Sequence, residues 1–306
     1  MRVYYFLILL IVLYSCDTRV QESNKQSLTV SIRPQKFLVE EIAGDHFTIN
    51  ILVPDGNGPE TYEPSARQLQ DVSRSKVYFI TGLLDFERSW LPKLIENYPD
   101  LKVVNISKGT EIIAEKNHSH HNHESHNHNN SDEDEAHSES VHSGVDPHIW
   151  LSLKSLKAQS LIVLEELIKL KPDFESEFTK NHSLFIARID SLDNLLSDKF
   201  QSVGKNISFM IYHPSLSYFA RDYGINQIPI ELEGKEPSPA YMKELVDIAG
   251  SEKIRVVIYS EQFDKRSAET LAKQLGINLY SFDPLAEKVD ENLVKISDVI
   301  LKTTRE

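Results

Sequence analysis

Cysteine is all but missing from this chain: Cys16 is the only one among 306 residues, so no intrachain disulfide can form and burial must hold the fold. Basic residues are in deficit, with 33 Lys and Arg against 46 Asp and Glu and a net charge of −13. That balance argues against nucleic acid or an anionic membrane surface as the main partner, since both recruit Lys/Arg patches. A membrane-spanning run is missing too. The apolar stretch Val3 to Leu13 is too short to cross a hydrocarbon layer roughly 30 Å thick as a stable anchor. The signatures of common hydrolases are also absent: there is no His-Glu-x-x-His, no nucleophile elbow and no phosphate loop.

What stands at the N-terminus fits the core of a secretory signal, because Val3 to Leu13 gives way to a polar stretch after Cys16. Leu13-Tyr14-Ser15-Cys16 resembles a bacterial lipobox, in which the cysteine becomes the lipidated first residue of the mature protein. Arg2 is the only charge ahead of the apolar run, and Tyr14 is bulky for its place. The expectation is a signal peptide at 1–15, a lipidated tether at 16–27 and an exported, membrane-anchored lipoprotein facing the periplasm or cell exterior; an uncleaved hydrophobic anchor is the alternative. About 290 residues remain, enough for one large or two modest domains.

Short β-rich runs alternate with helical segments. Strands are expected at Leu28 to Ile32, Phe47 to Val53, Val77 to Thr81 and Leu101 to Ile106, with helices at Pro34 to Ala43, Ser65 to Ser73 and Glu87 to Asn97. The alternation resumes after residue 205, with strands at Ile207 to Tyr212, Gln227 to Glu231, Arg255 to Tyr259 and Asn278 to Phe282. Helices are expected there at Pro214 to Tyr223, Pro239 to Ala249, Lys265 to Leu275 and Asn292 to Lys302. Such spacing implies βαβ crossovers, so the fold class is α/β with two parallel-sheet lobes, at 28–171 and 202–306. Between them, from Pro172 to residue 201, Phe174, Phe178, Phe185, Ile189, Leu192 and Leu196 recur at helical spacing and mark one long linking helix. About 28 residues give a rod of roughly 40 Å, which should resist hinge closure.

Residues 115–143 interrupt this pattern. Eight of the twelve histidines fall here, His118, His120, His121, His123, His126, His128, His137 and His142, among Asn, Ser, Asp and Glu. With little apolar surface to bury, the segment reads as a mobile loop, and its imidazoles and carboxylates suit zinc and its neighbours. A solvated spacer without a metal role is the plain alternative. Four further residues occupy comparable places at the ends of strands: Glu60 in the loop 54–64, His148 after the histidine segment, His213 after Tyr212, and Asp283 after Phe282. Ligands bind outside the carboxyl ends of parallel strands, so each lobe would supply two donors to a cleft. Two imidazoles and two carboxylates neutralise a divalent cation and fill a tetrahedron. Singly, each residue reads equally well as a turn, a cap or a solvated acid.

Asp146-Pro147-His148-Ile149-Trp150-Leu151, Tyr212-His213-Pro214-Ser215-Leu216-Ser217-Tyr218-Phe219, Ile230-Glu231-Leu232-Glu233-Gly234-Lys235-Glu236-Pro237-Ser238-Pro239 and Asp283-Pro284-Leu285 follow one another in the chain. In that order they resemble the metal-binding (zinc/manganese) solute-binding lipoproteins of ABC importers, across essentially the whole mature chain. The resemblance implies two α/β lobes on a rigid helix, one metal site made by Glu60, His148, His213 and Asp283, and delivery to a membrane permease.

One position departs from that pattern. Where the family usually has Pro-His-x-Tyr-Glu-Pro, this chain has Pro59-Glu60-Thr61-Tyr62-Glu63-Pro64. A carboxylate can still ligate zinc but hardens the site toward manganese or iron; His213 and the histidine segment lean toward zinc. The alternative turns Glu60 away and puts water or Glu63 in its place. The expectation is therefore an extracytoplasmic Zn2+-binding protein, monomeric and not an enzyme, with Mn2+ or iron as the alternative cargo. A zinc hydrolase or a surface adhesin is the weaker reading. Glu63, Arg67, Glu233, Lys235 and Glu261 are possible ligand-orienting or permease-facing residues.

Overall fold

The computed structural model of the chain describes residues 25–114, 144–204, 206–232 and 234–304. The apolar N-terminal run, Cys16, most of the tether, Glu233 and the eight histidines between 118 and 142 lie outside the described residues. The first lobe runs β1 (Gln26–Val30), α1 (Arg33–Ala43), β2 (Phe47–Ile51), α2 (Ala66–Ser73), β3 (Val77–Ile80), α3 (Asp85–Asn97) and β4 (Lys102–Asn105). All its strands are parallel, in the order β2-β1-β3-β4, with Leu28 level with Ile49 and Val77. After a 3-10 turn at Ile149–Leu151 come α4 (Leu153–Leu170), a second 3-10 turn at Pro172–Phe174, and α5 (Glu175–Val203).

The second lobe repeats the first. It runs β5 (Ser208–Ile211), α6 (Ser217–Tyr223), β6 (Asn226–Pro229), α7 (Pro239–Ser251), β7 (Val256–Tyr259), α8 (Arg266–Leu275), β8 (Asn278–Ser281) and α9 (Val289–Thr304), again parallel and in the order β6-β5-β7-β8. Central strands β3 and β5 are buried at every position, as expected for sheets covered on both faces. Among the described residues no helix is long and apolar enough to cross a membrane.

Helix α5 is the spine. Phe178, Phe185, Ile189, Leu196 and Phe200 are buried along one stripe of its 29 residues, which extend roughly 44 Å. At one end Phe178 packs on Phe47 of the first lobe, and at the other Phe200 packs edge-on against Phe219 of the second. Midway, Arg188 holds Glu41 of α1 and Asp290 of α9 at 2.9 and 3.1 Å. The helix thus touches both lobes through side chains that cannot slide without breaking buried contacts.

The start of the linking helix differs from expectation. Pro172 does not open α5 directly: Pro172–Phe174 first forms a 3-10 turn, with the Phe174 ring 4.1 Å from the His46 ring and tilted 51° to it. Pro92 lies inside α3, where it removes one backbone donor without ending the helix.

Both sheets point their carboxyl ends at the same crevice. Arg33 follows β1, the loop with Glu60 follows β2, His213 follows β5 and Asp283 follows β8.

Candidate metal centre

His148 is placed by its own turn. Pro147 stiffens the approach, and the Asp146 carboxylate, 5% exposed, accepts from the His148 backbone N–H while its Oδ1 lies 2.9 Å from His148 Nδ1. The turn is tied to its surroundings: Tyr218 Oη donates to Asp146 O at 2.7 Å, and Trp150 Nε1 donates to Pro284 O at 2.8 Å across to the second lobe. His148 itself is buried.

His213 leaves the end of β5 and lies flat on Phe263, 4.5 Å away at 18°. Its Nδ1 is 2.7 Å from Glu231 Oε1. Ionised carboxylates only accept, so both rings carry a proton on Nδ1 and turn Nε2 inward. Those two Nε2 atoms are 3.3 Å apart, and Glu60 Oε1 sits 3.1 Å from His148 Nε2 and 3.2 Å from His213 Nε2.

Three acceptor atoms at these separations repel unless a proton or a cation lies among them. The titration behaviour reflects this. Burial alone would lower the His148 pKa, but the charge and hydrogen bond of Asp146 and the contact with Glu60 outweigh it and raise it to about 10. His213 is likewise raised: burial opposes it, and hydrogen bonds to Glu231 and Glu60 prevail. Burial would raise the Glu60 carboxyl, yet the hydrogen bonds and charge of the two histidines hold it far below the usual carboxylate range.

Geometrically the trio is a metal cradle. Tetrahedral zinc with bonds of roughly 2.0–2.1 Å has donor-to-donor edges of roughly 3.3 Å, close to the three separations here. Both imidazoles donate their far N–H to a carboxylate, the arrangement that fixes tautomer and ring orientation in metal-binding histidines. Among the described residues Glu60, His148 and His213 form the one group whose donor atoms converge within 4.8 Å.

The fourth expected ligand is not part of that group. Asp283 accepts from Arg33 Nη2 through Oδ2 at 3.0 Å, and its Oδ1 accepts from Gln262 Nε2 at 2.7 Å and the Leu285 N–H at 2.9 Å. Glu60 does point inward, and Glu63 is exposed. Arg67, Lys235 and Glu261 are exposed as well; the imidazoles take their orientation from Asp146 and Glu231 instead. Both acids stood within the motifs, and an acid two residues before a histidine was the available signal for Asp146. Glu231 carried none, since it meets His213 only through the pairing of β6 with β5.

The zinc-binding lipoprotein AdcA of Streptococcus pneumoniae strain R6 is 26% identical over 96% of this chain; the chain spans 58% of that relative's length. A putative metal-binding protein of Chlamydia trachomatis serovar D is 28% identical over 95% of this chain and 96% of its own. The crystal structure of ZnuA superposes with a TM-score of 0.78 at 32% identity, covering 92% of this chain and 100% of that one. The family described as zinc-uptake complex component A, periplasmic, matches residues 28–303, and the chain, with its paired parallel sheets and long spine, belongs to it.

Proposed function

We propose that this protein captures a zinc ion outside the cytoplasm and hands it to an ABC-type permease, without catalysing a reaction on it. The observation that carries this reading is the convergence of Glu60, His148 and His213 at 3.1–3.3 Å, with each imidazole braced by its own carboxylate. Two neutral imidazoles and one carboxylate suit zinc, and the fourth position falls to water. Family membership and the zinc-binding name of the pneumococcal relative support the same cargo.

The surrounding assignments belong to the same proposal. Residues 28–171 and 202–306 act as two lobes on a spine at 172–201, and the chain works as a monomer. Cys16 carries the lipid that keeps the protein at the membrane, exported, beside its permease. The histidines between 118 and 142 collect zinc weakly and raise its concentration at the cleft, as a tethered second site would.

Manganese or iron is the second reading, favoured by Glu60, whose oxygen replaces a nitrogen at this corner. The test is metal analysis of protein purified without added metal, followed by zinc titration of Glu60→Ala, His148→Ala and His213→Ala. One tight equivalent, lost in all three variants, is expected. Tight zinc binding that survives all three, or a purified protein loaded with manganese, overturns the zinc assignment to this cleft.

A further inference from the structure

Arg33 is wedged between two carboxylates that belong to opposite sides of the cleft. Its Nη2 donates to Asp283 Oδ2 at 3.0 Å, and its Nε lies 3.3 Å from Asp55 Oδ1, on the same loop that carries Glu60. The arginine is about one-fifth exposed and Asp283 about one-third, so the pair is partly shielded from water. Gln262 Nε2 and the Leu285 N–H hold the other oxygen of Asp283. Gln262 and Pro284 also line, with Glu60 and His148, a narrow crevice. Asp283 therefore stands beside the donors, with its charge already matched and both oxygens already engaged.

We propose that Arg33 determines which metal the cleft prefers, by holding Asp283 out of the donor set. This rests on the metal-binding reading above. The chemistry is a count of donors. With Asp283 withheld, a cation meets two nitrogens, one carboxylate and an open position, a set that suits four-coordinate zinc. With Asp283 released, a second carboxylate enters, each can bind through both oxygens, and the site becomes oxygen-rich and more anionic, as manganese favours. A guanidinium is a suitable guard because it stays charged at every physiological pH and grips carboxylates in a fixed plane. It acts through Asp283 and never touches the ion, so it is a positioning residue.

The experiment measures tight-site affinities of the full chain for Zn2+ and Mn2+, by competition with a chelator, in wild type, Arg33→Ala, Arg33→Met, Arg33→Lys, Asp283→Ala, Arg33→Ala/Asp283→Ala and His213→Ala. Arg33→Ala and Arg33→Met should bind Mn2+ about tenfold or more tightly than wild type, the scale on which orienting partners act. Arg33→Lys should keep most of the wild-type preference. Asp283→Ala alone should leave Zn2+ affinity within about threefold, and the double variant should erase the manganese gain.

Substitution with Co2+ gives a readout independent of stability. Wild type should show the strong visible absorption of a four-coordinate ion, Arg33→Ala a weaker spectrum, and the double variant the strong one again. Unchanged Mn2+ affinity and cobalt spectrum in both Arg33→Ala and Arg33→Met overturn the proposal, as does a zinc loss in Asp283→Ala as large as that in His213→Ala. If His213→Ala itself binds zinc like wild type, the cleft is not the site and the reading beneath the proposal fails. Loss of zinc in His213→Ala with inert arginine variants removes the role of Arg33 alone.

Discussion

His148 and His213 face each other with their Nε2 atoms 3.3 Å apart, and each is braced from behind, by Asp146 at 2.9 Å and Glu231 at 2.7 Å. Two such nitrogens beside the Glu60 carboxylate make a place where a proton and a metal ion compete.

Zinc binding should release protons. With the His148 pKa raised to about 10 and that of His213 also raised, the metal-free site is protonated at pH 7, and binding needs both Nε2 atoms bare. Affinity should rise from pH 6 to pH 9 and fall on acidification. Calorimetry in buffers of different ionisation enthalpy should report between about one and two protons released per zinc at neutral pH; zero release contradicts a site built on these two rings.

The same shifts govern the stability of the metal-free protein, with opposite signs at the two ends of the pH scale. A histidine raised in the folded state stabilises fully below its ordinary value near 6.5, and loses that contribution as pH climbs toward about 10. Glu60, held low, contributes above the ordinary carboxylate range and loses its contribution as pH falls below it. Thermal unfolding of the metal-free chain should therefore show a lower Tm at pH 10 than at pH 7, and saturating zinc should suppress the alkaline loss.

Removing a brace should weaken the site without removing a donor. Asp146→Asn and Glu231→Gln each leave the imidazoles present but free to change tautomer or rotate, at an expected cost of about 10–100-fold in zinc affinity. Loss of a donor itself, in His213→Ala, should cost at least about a hundredfold, beyond the range of such braces. Competition titration ranks the variants; equal affinity for wild type and Asp146→Asn refutes the bracing role.

Glu60→His should sharpen selectivity. It exchanges the oxygen corner for an imidazole, which zinc accepts and manganese favours less, so the ratio of zinc to manganese affinity should grow by about tenfold. Parallel titrations with the two metals measure it.

The spine can be tested apart from the metal. Phe185 is 1% exposed on α5 and meets Phe37 of α1 edge-on at 6.2 Å. Phe185→Ala should cost about 3–5 kcal/mol in urea unfolding while preserving the zinc stoichiometry of the remaining folded protein.

Much of this was legible in the residues. The run Val77-Tyr78-Phe79-Ile80 reads as a strand from its β-favouring side chains and is buried at every position in the fold, and the aromatic stripe of α5 reads as a packed helix because 3.6-residue spacing leaves little other choice. Glu60, His148 and His213 could be named from motifs that end strands. What could not be read was which carboxylate meets which nitrogen. Glu231 reaches His213 across a strand pair, and Asp283 is engaged by an arginine 250 positions away, a distance over which linear spacing carries no information. Nothing in the sequence neighbours of Asp283 shows that a guanidinium pairs with it.

The two stretches of chain that flank residues 115–143 are joined to each other: Ala114 and Val145 form an antiparallel bridge, Asp146 N–H donates to Ile113 O at 2.9 Å, and Tyr218 Oη binds both sides of the seam. A doorway sealed at its threshold tolerates change in the length of chain between its posts, because each doubling of that length adds only about 0.6 kcal/mol of closure entropy. Evolution can thus lengthen, shorten or recompose the sequence between them, and an engineer can graft a foreign one there, while the histidine two residues past the seam keeps its aim.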